Sequence, residues 1–95
     1  MKGAMLERDI QARVVAYARK CGVIARKLDF GQGWPDYLLL FAGEVMFVEF
    51  KSDTGQLSLL QRHVAKILVD HGFKFRICRD VESGIRLVDQ LVNLT

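Results

Sequence analysis

The stretch Asp36-Tyr37-Leu38-Leu39-Leu40-Phe41-Ala42-Gly43-Glu44-Val45-Met46-Phe47-Val48-Glu49-Phe50-Lys51 decides the fold. It reads as two apolar strands, 36–41 and 44–51, joined by a tight Ala42-Gly43 turn. With two residues in the turn, Phe41 pairs with Glu44, and the register carried outward sets Asp36 directly opposite Glu49. A one-residue change in that turn would move Asp36 to the wrong face. Glu49 and Lys51 are two apart, so their side chains leave the same face of the strand. Met46, Val48 and Phe50 take the opposite face, which must be the well-covered one. The plain reading of Glu49 and Lys51 is a weak ion pair on a solvent face. Val45 and Phe47 share that face, however, which marks it as a buried face opening toward a cleft. Two carboxylates facing each other across an antiparallel pair repel. They are tolerable when a divalent cation sits between them or when one takes up a proton. Oxygen ligands beside an open groove suit Mg²⁺ or Mn²⁺.

Working outward, Leu6, Ile10, Val14, Ala18 and Cys21 recur at helical spacing, and Gly22 stops that helix. Residues 23–28 read as a short strand. A polar loop follows over 29–35, with Gly31 and Gly33, and Pro35 holds its predecessor extended. Downstream, 52–57 is a polar loop. Ser58 with Gln61 three positions on is a capping box that opens a second helix through Asp70. The apolar face of that helix is Leu60, Val64, Ile67 and Leu68. Residues 73–79 form a strand, and Asp80 caps a third helix with the stripe Ile85, Val88, Leu91 and Val92. The order αβββαβα predicts an α/β domain spanning 1–95, a mixed sheet flanked by helices.

Composition narrows the setting. Apolar residues make up 51% of 95, which disfavours disorder and leaves either a dense core or apolar surface for a partner. The net charge of +3 is a mild bias. Committing three carboxylates to a cation doubles the basic excess of the remainder. Cys21 and Cys78 match no zinc or disulfide pattern and read as free thiols in a reducing compartment. No run of apolar residues reaches bilayer length, and Met1–Met5 lacks the apolar core of a signal peptide. The expectation is an intracellular protein, in the cytoplasm or nucleoid.

Pro35-Asp36, twelve residues, then Glu49-Phe50-Lys51 resembles the PD-(D/E)xK motif of the restriction-endonuclease-like nucleases. More narrowly, Val48-Glu49-Phe50-Lys51 with Gly55, Leu57-Ser58, Gln61 and Gly72 is similar to the VRR-NUC domain, the virus-type replication-repair nuclease. Glu7 matches the additional acidic residue of that family and of archaeal Holliday-junction resolvases. The resemblance implies a restriction-endonuclease-like fold and a Mg²⁺- or Mn²⁺-dependent deoxyribonuclease. It implies that Asp36 and Glu49 ligate the metal, helped by the backbone carbonyl of Phe50, with Glu7 reaching it through water. Lys51 then orients the attacking water or neutralises charge on the phosphate.

Two readings stand for several residues. Glu7 is a site carboxylate or a surface group near a helix N-terminus. Gln61 touches the site or is only the cap partner of Ser58. Trp34, with Asp29, Gln32 and the two glycines, contacts DNA or covers the core edge. His63 and His71 carry no motif.

The expected activity is endonucleolytic hydrolysis of DNA, structure-selective at branched substrates such as four-way junctions. A flap or nicking nuclease, a weakly selective one, and a non-catalytic DNA-binding module on the same fold are the alternatives. A homodimer is expected, because one short chain holds one site and a junction needs two cuts. Its candidate surfaces are Val15 and Tyr17 on the first helix, and Leu87, Leu91 and Leu94 on the last.

Overall fold

A computed structural model of the chain describes residues 5–93. Its elements run α1 (Glu7–Lys20), β1 (Ile24–Lys27), β2 (Tyr37–Phe41), β3 (Glu44–Phe50), α2 (Leu59–Asp70), β4 (Lys74–Cys78) and α3 (Val81–Val92). The αβββαβα order and each expected element are present, with strand ends shorter by a residue or two. The four strands form one mixed sheet in the order β1-β2-β3-β4. β1, β2 and β3 are antiparallel neighbours, and β4 returns parallel to β3 after the α2 crossover.

The hairpin carries the expected register. Phe41 pairs with Glu44 and Tyr37 with Val48. Ala42 and Gly43 both take positive φ, 49° and 84°, as a two-residue turn matched to the strand twist requires. For Ala42 this is the left-handed region that a Cβ disfavours.

The alternation of β3 assigns its faces. Met46, Val48 and Phe50 are buried with Ile10, Val14, Val15 and Ala18 of α1 and Val88 and Leu91 of α3. Phe47 is buried on the other face with Val64 and Leu68 of α2. The sheet is thus a middle layer, with α1 and α3 on one side and α2 on the other. α2 buries Val64, Ala65 and Leu68, whereas Leu60 and Ile67 are exposed. Its buried stripe is rotated from the expected one, because Gln61 and Leu68 face the sheet and Leu60 and Ile67 lie along its flank.

The proposed dimer surfaces are corrected by this packing. Val15 and Leu91 are core residues, and Tyr17 and Leu87 pack against that core. The Tyr17 hydroxyl donates to Asp89 Oδ1 at 2.6 Å, tying α1 to α3. Val15 and Leu91 are therefore not available to a partner. Leu94 lies outside the described residues, as do residues 1–4 of the expected 1–95 domain. Both cysteines are free, Cys78 fully buried. No helix among the described residues is long and apolar enough to cross a membrane.

Close helix packing depends on Gly84, inside α3. A Cβ there would collide with Val14 Cγ2 and come within 2.9 Å of Cys78 Sγ. Val14 is β-branched and buried, so it has little room to rotate away. Gly84→Ala gains about 1 kcal/mol of helix propensity. Overpacking costs about 1–3 kcal/mol and should win. Ala42→Asn should act in the opposite sense, relieving up to about 1 kcal/mol of left-handed strain. Urea midpoints of the two variants should therefore move in opposite directions from the parent.

Candidate functional site

β2 and β3 deliver the chemistry at one end of the hairpin. Asp36 lies one residue before β2, where the hairpin register sets it against Glu49. Its carboxylate Oδ2 accepts the Phe50 N–H at 2.7 Å, and its carbonyl accepts the Leu28 N–H at 2.9 Å. Asp36 is thus held from both neighbouring strands. A strand residue directs its N–H and C=O to the same edge, so the Phe50 carbonyl also leaves on the Asp36 side.

Glu49 is the one buried charged residue among the described residues, 4% exposed. Lys51 Nζ stands 3.7 Å from its Oε2, on a side chain only 16% exposed. Gln61 Nε2 donates to the same oxygen at 3.1 Å. The Gln61 side chain also closes the capping box, its Oε1 accepting the Ser58 N–H at 2.9 Å. The two readings of Gln61 are therefore both met by one amide, which fixes the start of α2 and holds Glu49 together.

Electrostatics sets this carboxyl apart. Its pKa is pushed from 4.5 up to about 7, first by burial and then by the negative charge of Asp36. Glu7, on the first turn of α1, pushes in the same direction, and Lys51 pulls against both. The three acidic residues thus share one field. Even so, no three His, Cys, Asp or Glu side chains among the described residues converge into a ready-made metal cluster. The donor set still fits a hard divalent ion that keeps several waters, which needs only one or two carboxylates. A cation between Asp36 and Glu49 would also offset the burial cost and the repulsion that together raise the Glu49 pKa.

The surrounding loops are built to hold this arrangement. Arg79, just past β4, donates through one guanidinium nitrogen to the carbonyls of Ser52 (2.8 Å) and Gly55 (2.6 Å). It pins the turn that follows Lys51. A Cβ on Gly55 would press Ser52 Oγ at 3.0 Å and lie 3.5 Å from Lys51 Cδ, so this turn lies along the lysine stem. From sequence Arg79 was one basic residue among several, and nothing local marks an arginine that reaches back twenty-seven positions. Trp34 packs against Phe47 and belongs to the core edge, the second of its two readings. His71 is at the α2 C-cap, its Nδ1 2.8 Å from the Ile67 carbonyl, and His63 is exposed on α2.

The raised Glu49 pKa has a consequence for stability. A carboxyl that folds more readily when protonated stabilises the fold below its ordinary pKa of 4.5, and that contribution is lost as pH rises through about 7. In metal-free buffer, Glu49→Gln should therefore be more stable than the parent at pH 8, by on the order of a few kcal/mol. The difference should shrink as pH falls toward 4.5. Denaturant unfolding at several pH values measures it, and a gap independent of pH would contradict the buried-carboxyl account.

Comparison with known proteins supplies the frame for this geometry. The VRR-NUC domain family model matches residues 6–82, from the start of α1 into α3. A solved structure described as a VRR_NUC domain superposes with a TM-score of 0.80 at 22% identity, covering 87% of this chain and 94% of that one. No curated protein matches the chain significantly. At that identity the structural likeness speaks for the fold, while the family model spans most of the sequence and includes Glu7, Asp36, Glu49, Lys51 and Gln61. The chain belongs to the VRR-NUC family of nuclease domains.

Proposed function

We propose that the protein is a divalent-metal-dependent endonuclease that hydrolyses DNA phosphodiesters, preferring branched structures such as four-way junctions. The observation that carries this reading is the buried Glu49 opposite Asp36, with Lys51 and Gln61 on one of its oxygens. A sequence has little structural reason to keep two like charges facing each other at the end of an otherwise apolar hairpin.

Asp36 and Glu49 would hold Mg²⁺ or Mn²⁺, with the Phe50 carbonyl and, through water, Glu7 as further oxygen donors. The ion supplies Lewis acidity at the phosphate and an acidified water. The Phe50 N–H keeps the Asp36 carboxylate in one orientation. Gln61 and Lys51 hold Glu49 by Oε2, leaving its other oxygen for the ion. Lys51, little exposed, places its ammonium where negative charge grows on the phosphate, and such a charge counts for more in a site that excludes water.

We also propose that the active form is a homodimer, because one chain carries one site and symmetric junction cleavage needs two. With Val15 and Leu91 in the core, the exposed apolar residues Ile67, Val69 and Phe73 around the C-terminal end of α2 are the better candidates for the contact.

Asp36→Ala and Glu49→Ala should each lower cleavage by orders of magnitude and remain folded, and EDTA should abolish activity. Incubation with matched four-way, three-way, flap and linear DNA in Mg²⁺ or Mn²⁺ reads both activity and preference. Full cleavage by either variant would sink the assignment. Lys51→Ala should slow turnover while leaving calorimetric Mn²⁺ affinity within a fewfold. Because a carboxylate must shed its proton to ligate, Mn²⁺ affinity should fall as pH drops below about 7, with proton release on binding. Sedimentation at micromolar concentration tests the dimer; a monomer that cuts both strands of a junction in one binding event would exclude it.

A further inference from the structure

On the sheet face that carries the carboxylates lies an aromatic side chain left largely outside the core. Phe30, in the loop between β1 and β2, is 63% exposed. Its ring stands edge-on to Trp34 with centroids 5.3 Å apart, and Trp34 in turn packs against Phe47 of the sheet. Trp34 is already half-buried by this contact, so Phe30 adds a mounted ring directed at solvent. The loop is also fixed from the other side. Gly33 has φ +86° and lies so close to α2 that a Cβ would come within 2.5 Å of Leu60 Cγ and 3.2 Å of the Leu60 carbonyl. Leu60 is the neighbour of Gln61, whose amide holds Glu49. Phe30 is therefore carried by a loop anchored on Phe47 and α2, on the sheet face that also bears Asp36 and Glu49.

Its surroundings suit one kind of guest. Leu59 and Leu60, 85% and 44% exposed, continue the apolar surface beyond the Gly33 contact. Arg26 of β1, paired with Leu38, shares the sheet face of Asp36 and is exposed. An exposed apolar ring and an exposed cation on the sheet face of the proposed phosphate site match a nucleotide whose base has left the stack. The base would meet the ring and its phosphate the guanidinium. A fully paired duplex offers no such base face.

We infer that Phe30 is a base-stacking residue, receiving an unpaired nucleobase near the scissile phosphate and so favouring DNA with disrupted pairing. This rests on the nuclease reading above, and the test separates the two. Wild type and Asp36→Ala are first compared on junction and flap DNA, which maps the cleaved bond and checks the nuclease reading. An abasic site is then moved through the nucleotides around that bond. Binding is measured in the Asp36→Ala background, with Phe30 as Phe, Ala or Trp. Stacking on a base is worth about 5- to 150-fold in affinity. Phe30→Ala should lose that factor on intact DNA, Phe30→Trp should retain affinity, and the alanine penalty should vanish when the abasic site falls at one position. An alanine penalty of equal size on every abasic substrate, or none on intact DNA, would overturn the inference while leaving the nuclease reading standing. Failure of wild type to bind or cleave any of the DNAs would overturn both. Circular dichroism of the alanine variant, together with rescue by Trp, separates a lost ring from a lost fold.

Discussion

The pairing register of β2 with β3 is the constraint on which the site depends. Strand side chains alternate with a period of two, so a slip of one residue would turn Asp36 toward α1 and α3 and separate it from Glu49. Two features hold the register. One is the Ala42-Gly43 turn, which accepts positive φ at both positions even though alanine resists it. The other is the alternation of β3 itself, which buries Met46, Val48 and Phe50 under α1 and α3 and Phe47 under α2. Both faces are buried, so a slip would push each apolar set into the other layer and force Glu49 and Lys51 under α1 and α3. Hydrophobic packing along the hairpin thereby fixes two carboxylates against each other at its open end.

The resulting carboxylate pair works against the fold that holds it. Burial and the charges of Asp36 and Glu7 all favour the protonated form of Glu49, and Lys51 only partly offsets them. A small domain has a thin stability margin, so tension of this size points to selection for something other than stability. The neighbours hold the pair in place without cancelling it. The Phe50 N–H fixes Asp36, Gln61 holds Glu49 by one oxygen, and Lys51 stands 3.7 Å away, farther than a direct hydrogen bond. Such an arrangement keeps the two carboxylates in place with their repulsion only partly compensated.

Much of this was legible in the sequence, for reasons that particular residues show. The hairpin and its faces could be read because alternation and a two-residue turn are local signals, and the Ser58–Gln61 cap is equally local. The buried face of α2 was misplaced because Leu60 and Ile67 fit the helical period as well as Ala65 does, and only the sheet decides which stripe is covered. Gly84 gave no sign of its role, since its value lies in the approach of Val14 from a helix seventy residues earlier. Arg79 was hidden for the same reason, its partners being the carbonyls of a distant turn. Two residues of the expected dimer surfaces, Val15 and Leu91, lie in the core for a related reason. Val15 lies off the stripe read for α1 yet is buried with it, and Leu91, already in the α3 stripe, is fully buried in the same core.

α2 shows how a chain of this length combines scaffold and site. On its inner side Val64 and Leu68 close the second apolar layer over Phe47. At its first turn Gln61 ties the helix cap to Glu49, so docking the helix and positioning the carboxylate are one event. Leu60, one residue earlier, bears on Gly33 and so sets the loop that leads into Asp36. A change in how α2 packs would therefore reach both carboxylates, Glu49 through the Gln61 amide and Asp36 through the Gly33 loop. With so few elements to share the work, the second layer cannot be loosened without loosening the site.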